Sequence, residues 1–118
     1  MKLNLTSTPR TFTVNDIKIN DYGKIVLGPD EMISFMTASG KEFDFTAKDW
    51  GFYATPSING RLQKQGFKTA LVENPQGRIY LMVVELDKVE LFEEYCRKEG
   101  QSVREWLDEY PGKGVKGR

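Results

Sequence analysis

Residues 68–85 read Lys68-Thr69-Ala70-Leu71-Val72-Glu73-Asn74-Pro75-Gln76-Gly77-Arg78-Ile79-Tyr80-Leu81-Met82-Val83-Val84-Glu85, and this stretch decides the fold class. Two runs rich in β-branched and apolar side chains flank Asn74-Pro75-Gln76-Gly77, which sets Asn, Pro and Gly where a type I turn prefers them. The pattern predicts a β-hairpin with arms at 68–73 and 78–85. In the second arm Ile79, Leu81 and Val83 face one side while Tyr80, Met82 and Val84 face the other. Both faces are apolar, so both need cover.

A second hairpin is expected upstream, with arms at 31–37 and 42–48 around Ala38-Ser39-Gly40-Lys41. Met32, Ile33, Phe35 and Met36 show the same two-sided character. Phe43, Phe45 and Ala47 are read as one face of the other arm, and Glu42, Asp44 and Thr46 as a wet face opposite. Earlier still, Thr11-Phe12-Thr13-Val14 alternates, Asn15-Asp16 shifts the phase through a bulge or tight turn, and Ile17-Lys18-Ile19 alternates again. Asn20-Asp21-Tyr22-Gly23 reads as a further turn before the extended Lys24-Ile25-Val26-Leu27.

Between the hairpins, Thr55-Pro56 has the form of an N-cap followed by a first helical position, with Gly66 available to end a short helix. Towards the C-terminus, Asp87 and Ser102 each precede a glutamate by three residues, the spacing of a capping box. The first of these helices carries Val89, Phe92 and Cys96 on its apolar stripe. The second carries Val103, Trp106, Leu107 and Tyr110.

The order of elements argues for an α+β fold. The expected architecture is a curved antiparallel sheet of about six short strands, arranged as a meander and hairpins, with one short helix between hairpins and two C-terminal helices packed on one face. The expected organisation is a flexible N-terminal arm over 1–10, a single α+β domain over 11–110, and a disordered basic tail over 111–118.

Composition narrows the chemistry. The chain has 118 residues, and 17 basic side chains balance 17 acidic ones, so nucleic acid is a disfavoured partner. There is no histidine, which removes histidine-based nucleophilic and acid/base catalysis and most zinc sites. No Gly-rich phosphate motif occurs, no cofactor is implied, and Cys96 reads as a core residue. The balance leans away from an enzyme. Glu42 and Asp44 could share a proton or bind a hard cation, but their alternation with Phe43 and Phe45 favours a solvated sheet face, and Glu90, Glu93 and Glu94 read likewise as the polar face of an amphipathic helix. The longest apolar run, Ile79 to Val84, is far short of a membrane span, and without a secretory leader the expected location is the cytoplasm.

One segment departs from ordinary scaffold: Trp50-Gly51-Phe52-Tyr53-Ala54-Thr55-Pro56-Ser57-Ile58-Asn59-Gly60-Arg61. No acidic residue occurs between 50 and 72, where Arg61, Lys64 and Lys68 are basic. Trp50, Tyr53, Thr55, Ser57, Asn59, Arg61 and Lys64 are therefore the candidate ligand-binding residues. They suggest an anion site, suited to a sugar phosphate or nucleotide sugar, at the Thr55 helix terminus. The competing reading is a protein-interaction module without a small-molecule site. The second face of residues 79–84 is closed either by the N-terminal strands curling over it, which their apolar content favours, or by a homodimer partner.

Overall fold

The structure, a computed structural model, describes residues 1–109. The α+β class holds, with strands dominant. In place of one curved sheet, the described residues form eight strands in three small sheets, together with two α-helices. The chain folds as two compact units, Met1–Ile33 with Phe45–Tyr53, and Ser34–Asp44 with the chain from Ala54 onward. The proposed basic tail and Tyr110 lie outside the described residues.

In the first unit, β1 (Lys2–Val14) and β2 (Ile17–Val26) pair antiparallel as a two-stranded ribbon. Val14 faces Ile17 across Asn15 and Asp16, whose φ angles of 50° and 67° make the two-residue turn that matches strand twist. The ladder runs from there to Arg10 opposite Asp21, then resumes at Leu5 opposite Gly23. Thr6 to Pro9 therefore bulge out against Tyr22 alone, and the Thr6 hydroxyl braces the bulge by accepting from the Thr8 N–H at 3.0 Å. Two expectations are corrected here. Residues 2–10 are strand rather than a loose arm, because the bulge slips the side-chain phase and hides the alternation. Residues 20–23 stay within β2, where Asp21 accepts from the Gly23 N–H at 3.0 Å instead of starting a turn.

The middle sheet has the order β3 (Met32–Met36), β4 (Glu42–Lys48), β5 (Gly51–Ala54). The expected hairpin is present, closed by Thr37 N–H donating to the Lys41 carbonyl at 2.9 Å, with Gly40 at φ 88°. As the central strand, β4 has no wet face beyond Glu42: Phe43, Asp44, Thr46 and Ala47 are all buried.

The third sheet lies in the second unit. Its order is β7 (Ile79–Glu85), β6 (Phe67–Glu73), β8 (Ser102–Trp106). The Asn74 side chain accepts from the N–H groups of Gln76 and Arg78 at 3.0 and 2.9 Å, and Gly77 N–H donates to the Asn74 carbonyl at 3.0 Å. That turn is the one read from the sequence. Helix α2 (Val89–Glu99) covers one face, where Ala70, Val72 and Cys96 form a buried cluster flanked by Met82, Phe92, Val103 and Trp106. It ends at Gly100, in the left-handed region at φ 67°, with Gln101 N–H donating to the Cys96 carbonyl at 2.8 Å. Its expected cap, Asp87, lies in the 3₁₀ turn Leu86–Lys88 and pairs with Lys41 at 3.1 Å.

The second expected C-terminal helix is a strand. In β8, Glu105 faces Leu71 and Val103 faces Val72, so Arg104 is an extra, bulged residue. One bulge puts Val103 and Trp106 on the same face of a strand, which reproduces the three-residue spacing of a helix. Trp106 then meets Phe92 edge-on at 5.7 Å and lies under the Lys68 ammonium at 3.9 Å. Deleting Arg104 should turn Trp106 or Val103 away from the cluster; a red-shifted Trp106 emission is expected, and an unchanged spectrum in a Trp50→Phe background overturns the bulge assignment.

Candidate functional site

The segment proposed from the sequence divides between the units. Trp50 and Tyr53, in the first, stack with ring centroids 6.4 Å apart and planes 26° from parallel, and Trp50 is 69% exposed. In the second, Thr55 N–H donates to the Asp44 carbonyl at 2.9 Å, so the backbone at Thr55 continues the pairing of β5 and caps no helix. The helical turn begins six residues later, as α1 (Arg61–Lys64). Ser57 takes the capping role expected of Thr55: its hydroxyl accepts from Arg61 N–H at 3.1 Å and its carbonyl from Leu62 N–H at 3.0 Å. A four-residue helix has no appreciable dipole to offer an anion. Asn59 and Lys64 are exposed. Of the seven residues, the structure joins Trp50 to Tyr53 and Ser57 to Arg61, while Arg61 turns to the protein itself.

Its partner is Asp44, 2% exposed, with 3.8 Å between the Arg61 guanidinium and Oδ2. Gln65 donates to the same oxygen at 3.4 Å and to the Glu42 carbonyl at 2.9 Å. Burial pushes the Asp44 carboxyl upward, but hydrogen bonds from Ser34, Glu42 and Gln65 and the Arg61 charge outweigh it and hold the group below its ordinary 3.8. Glu42 moves the other way, raised above 4.5 by its hydrogen bond to Asp44. The pair behaves as a buried carboxylate with a protonatable neighbour, a structural latch between β4 and α1.

A second polar node was hidden from the sequence because its members are far apart in the chain. Glu85 accepts from the Ser39 hydroxyl and pairs with Lys41 and Lys88, each at 3.4 Å. The Ser39 hydrogen bond, followed by those from Lys41 and Lys88, holds the Glu85 carboxyl below 4.5. Both Glu85 and Asp44 have lowered folded values, so the stability they contribute is complete above the ordinary carboxylate range and is lost as pH falls through the folded values. The urea midpoint should stay level down to about pH 5 and then decline on acidification, less steeply in Glu85→Gln. A midpoint independent of pH down to about 3 overturns this account.

Among the described residues no three His, Cys, Asp or Glu side chains gather to hold a metal ion, and no helix is long and apolar enough to cross a membrane. The Cys96 thiol is buried, and burial raises its pKa, which suits packing rather than nucleophilic chemistry.

What the surface does offer is apolar. Pairing sets Phe12, Val14, Ile17 and Ile19 on one face of the outer ribbon and Thr11, Thr13, Lys18 and Asn20 on the other, and all four apolar side chains are exposed. On β7, Ile79, Leu81 and Val83 are exposed on the face away from α2. The sequence shows the β7 strip as a two-sided run; it does not show the ribbon face, because the pairing that builds it was read as separate short strands.

No protein-family model matches this chain, no curated protein matches it in sequence, and no solved structure matches it.

Proposed function

We propose that this chain is a protein-interaction module whose exposed strand surfaces are completed by protein. One observation carries the reading: the outer β1–β2 ribbon is amphipathic, yet among the described residues β1 and β2 form a sheet of two strands and leave Phe12, Val14, Ile17 and Ile19 exposed. An isolated two-stranded ribbon is marginal in water and gains stability when its apolar face is covered. Exposed apolar surface in one contiguous patch is the mark of an interaction site rather than of ordinary solvent-facing surface. Eight hydrophobic residues are buried among the described residues, against 22 large ones left exposed, which points the same way.

The anion-site reading has less support. Its helix terminus at Thr55 is replaced by strand pairing, Ser57 is engaged with Arg61, and Arg61 is engaged with Asp44.

A photo-cross-linking side chain at position 12 of the full chain tests the module in cells. Discrete protein adducts are expected from position 12, and they should disappear when Ile19→Lys is added. Position 13, on the polar face, is the control; equal yields from 12 and 13 overturn the reading.

A further inference from the structure

We infer that Asn59 is a site of spontaneous backbone modification: its side-chain amide closes onto the Gly60 nitrogen, loses ammonia, and leaves the chain carrying aspartate or isoaspartate just ahead of α1. This chemistry does not depend on the interaction-module reading. The cap of α1 sets it up. Ser57 Oγ accepts from the Arg61 N–H at 3.1 Å, and a Cβ on residue 60 would lie 2.6 Å from that same oxygen. The hydroxyl cannot swing aside without giving up the cap, so residue 60 has to be glycine. With no Cβ beside it, the Gly60 nitrogen is open to the neighbouring side chain. It is also weakly held: Gly60 N–H donates to the Ser57 carbonyl at 3.3 Å, while the same oxygen takes a shorter bond, 3.0 Å, from Leu62 N–H. Asn59 lies exposed in the turn 58–60, and its amide bonds to no described residue.

The chain's other asparagines each lack part of this arrangement. Asn74 precedes Pro75, which has no N–H to lose, and its Oδ1 accepts from the N–H groups of Gln76 and Arg78. Asn20 lies in β2 with its Oδ1 accepting from the Thr11 hydroxyl at 2.9 Å, and Asn4 is paired opposite Lys24 in β1. Asn15 is followed by Asp16, which carries a Cβ, and both are held at positive φ by the turn of the ribbon.

In the reaction, hydroxide removes the Gly60 N–H proton, the nitrogen bonds to Asn59 Cγ, and the side-chain nitrogen departs as ammonia after taking a proton from water, which restores the hydroxide. The cyclic imide then takes up one water. Opening at Cγ gives aspartate; opening at the backbone carbonyl gives isoaspartate, whose main chain runs through Cβ and Cγ. Water is the only co-reactant. Either product sets a carboxylate two residues from Arg61, where it competes with Asp44 for the guanidinium, now 3.8 Å from Asp44 Oδ2. Isoaspartate also adds a methylene to the stretch of chain that the Ser57–Arg61 hydrogen bond closes, so the cap opens.

The full chain, aged in mildly alkaline heavy-oxygen water and then digested, should take up heavy oxygen in the peptide containing Asn59 while ammonia is released in step. Conversion there should outpace that at every other asparagine, and labelling by an isoaspartyl methyltransferase should show isoaspartate in excess of aspartate. If global unfolding were required, the native chain would react roughly a thousandfold or more slowly than the urea-unfolded chain. A difference of about tenfold or less is expected, since only a surface turn has to move. Asn59→Gln, a conservative change at an exposed position, should stay unmodified over the same period. Amide exchange should accelerate at Arg61 and Leu62 in the isoaspartyl form, but not in Asn59→Asp, which keeps the normal backbone length. Conversion at Asn59 no faster than at Asn15, native protection as deep as global unfolding demands, or unchanged exchange at Arg61 in the isoaspartyl form overturns the inference.

Discussion

Replacing Phe67 with alanine should lower the unfolding free energy by about 3–5 kcal/mol, read from urea denaturation followed by circular dichroism. Phe67 is 3% exposed, at the start of β6, with its ring 5.9 Å from that of Phe43 and tilted by 58°. Truncation removes the transfer energy of the ring and leaves a cavity between two strands whose hydrogen bonding stops them from collapsing into it. Domains of this size are commonly stable by about 5–15 kcal/mol, so one substitution can remove a third of the total or more. Leu81→Ala is the matched control: its side chain is 57% exposed, and the change in a monomeric preparation should stay within about 0.5 kcal/mol. A Phe67→Ala loss below about 1 kcal/mol would show that the ring is not packed as described.

The second large effect is expected at Gly23. Its φ is +122°, and a Cβ there would sit 2.1 Å from the Asn4 carbonyl oxygen and 3.1 Å from Leu5 Cα. Both neighbours are backbone on the paired strand, so neither can swing aside. Strain at the left-handed φ adds to the collision, and Gly23→Val should cost roughly 3 kcal/mol or more within the ribbon. The damage should be local. Amide exchange should accelerate at Lys2 to Leu5 and at Lys24 to Val26, which the register pairs across Gly23, while β6 and β7 keep their protection. Unchanged exchange at Lys2 to Leu5 would mean the ribbon is paired in another register.

Local rules carried the reading of the chain wherever one element announces itself within a few residues. Asn74-Pro75-Gln76-Gly77 needs no distant partner to form its turn, and the hairpins it and Gly40 close were legible for that reason. The failures share a cause of another kind. At Thr6–Pro9 and at Arg104 an extra residue shifts the side-chain phase, so a bulged strand imitates a loop in one place and a helix in the other. Only the partner strand reveals the insertion, since the bulge is defined by what faces it. Asp44 was misread for a similar reason. Alternation with Phe43 and Phe45 suggests a wet face, yet β4 is the middle strand of its sheet, and strand order is a property of the whole chain. The candidate site shows the same limit: Ser57 and Arg61, read as donors for a ligand, are engaged within the protein, Ser57 by the Arg61 N–H and Arg61 by Asp44, and neither contact is written in the local sequence.

Burying the one thiol of the chain under α2 has a practical consequence. Cys96 is 6% exposed, in contact with the Ala70–Val72 cluster, and its pKa is raised by that environment. A disulfide-exchange reagent can reach it only while α2 is lifted from the sheet, so the rate of modification in native buffer reports the frequency of that opening. The molecule thus carries a single-site clock for the separation of helix from sheet, read without a label and without denaturant. Because β7 belongs to the same sheet, any partner that clamps it in place should slow that clock.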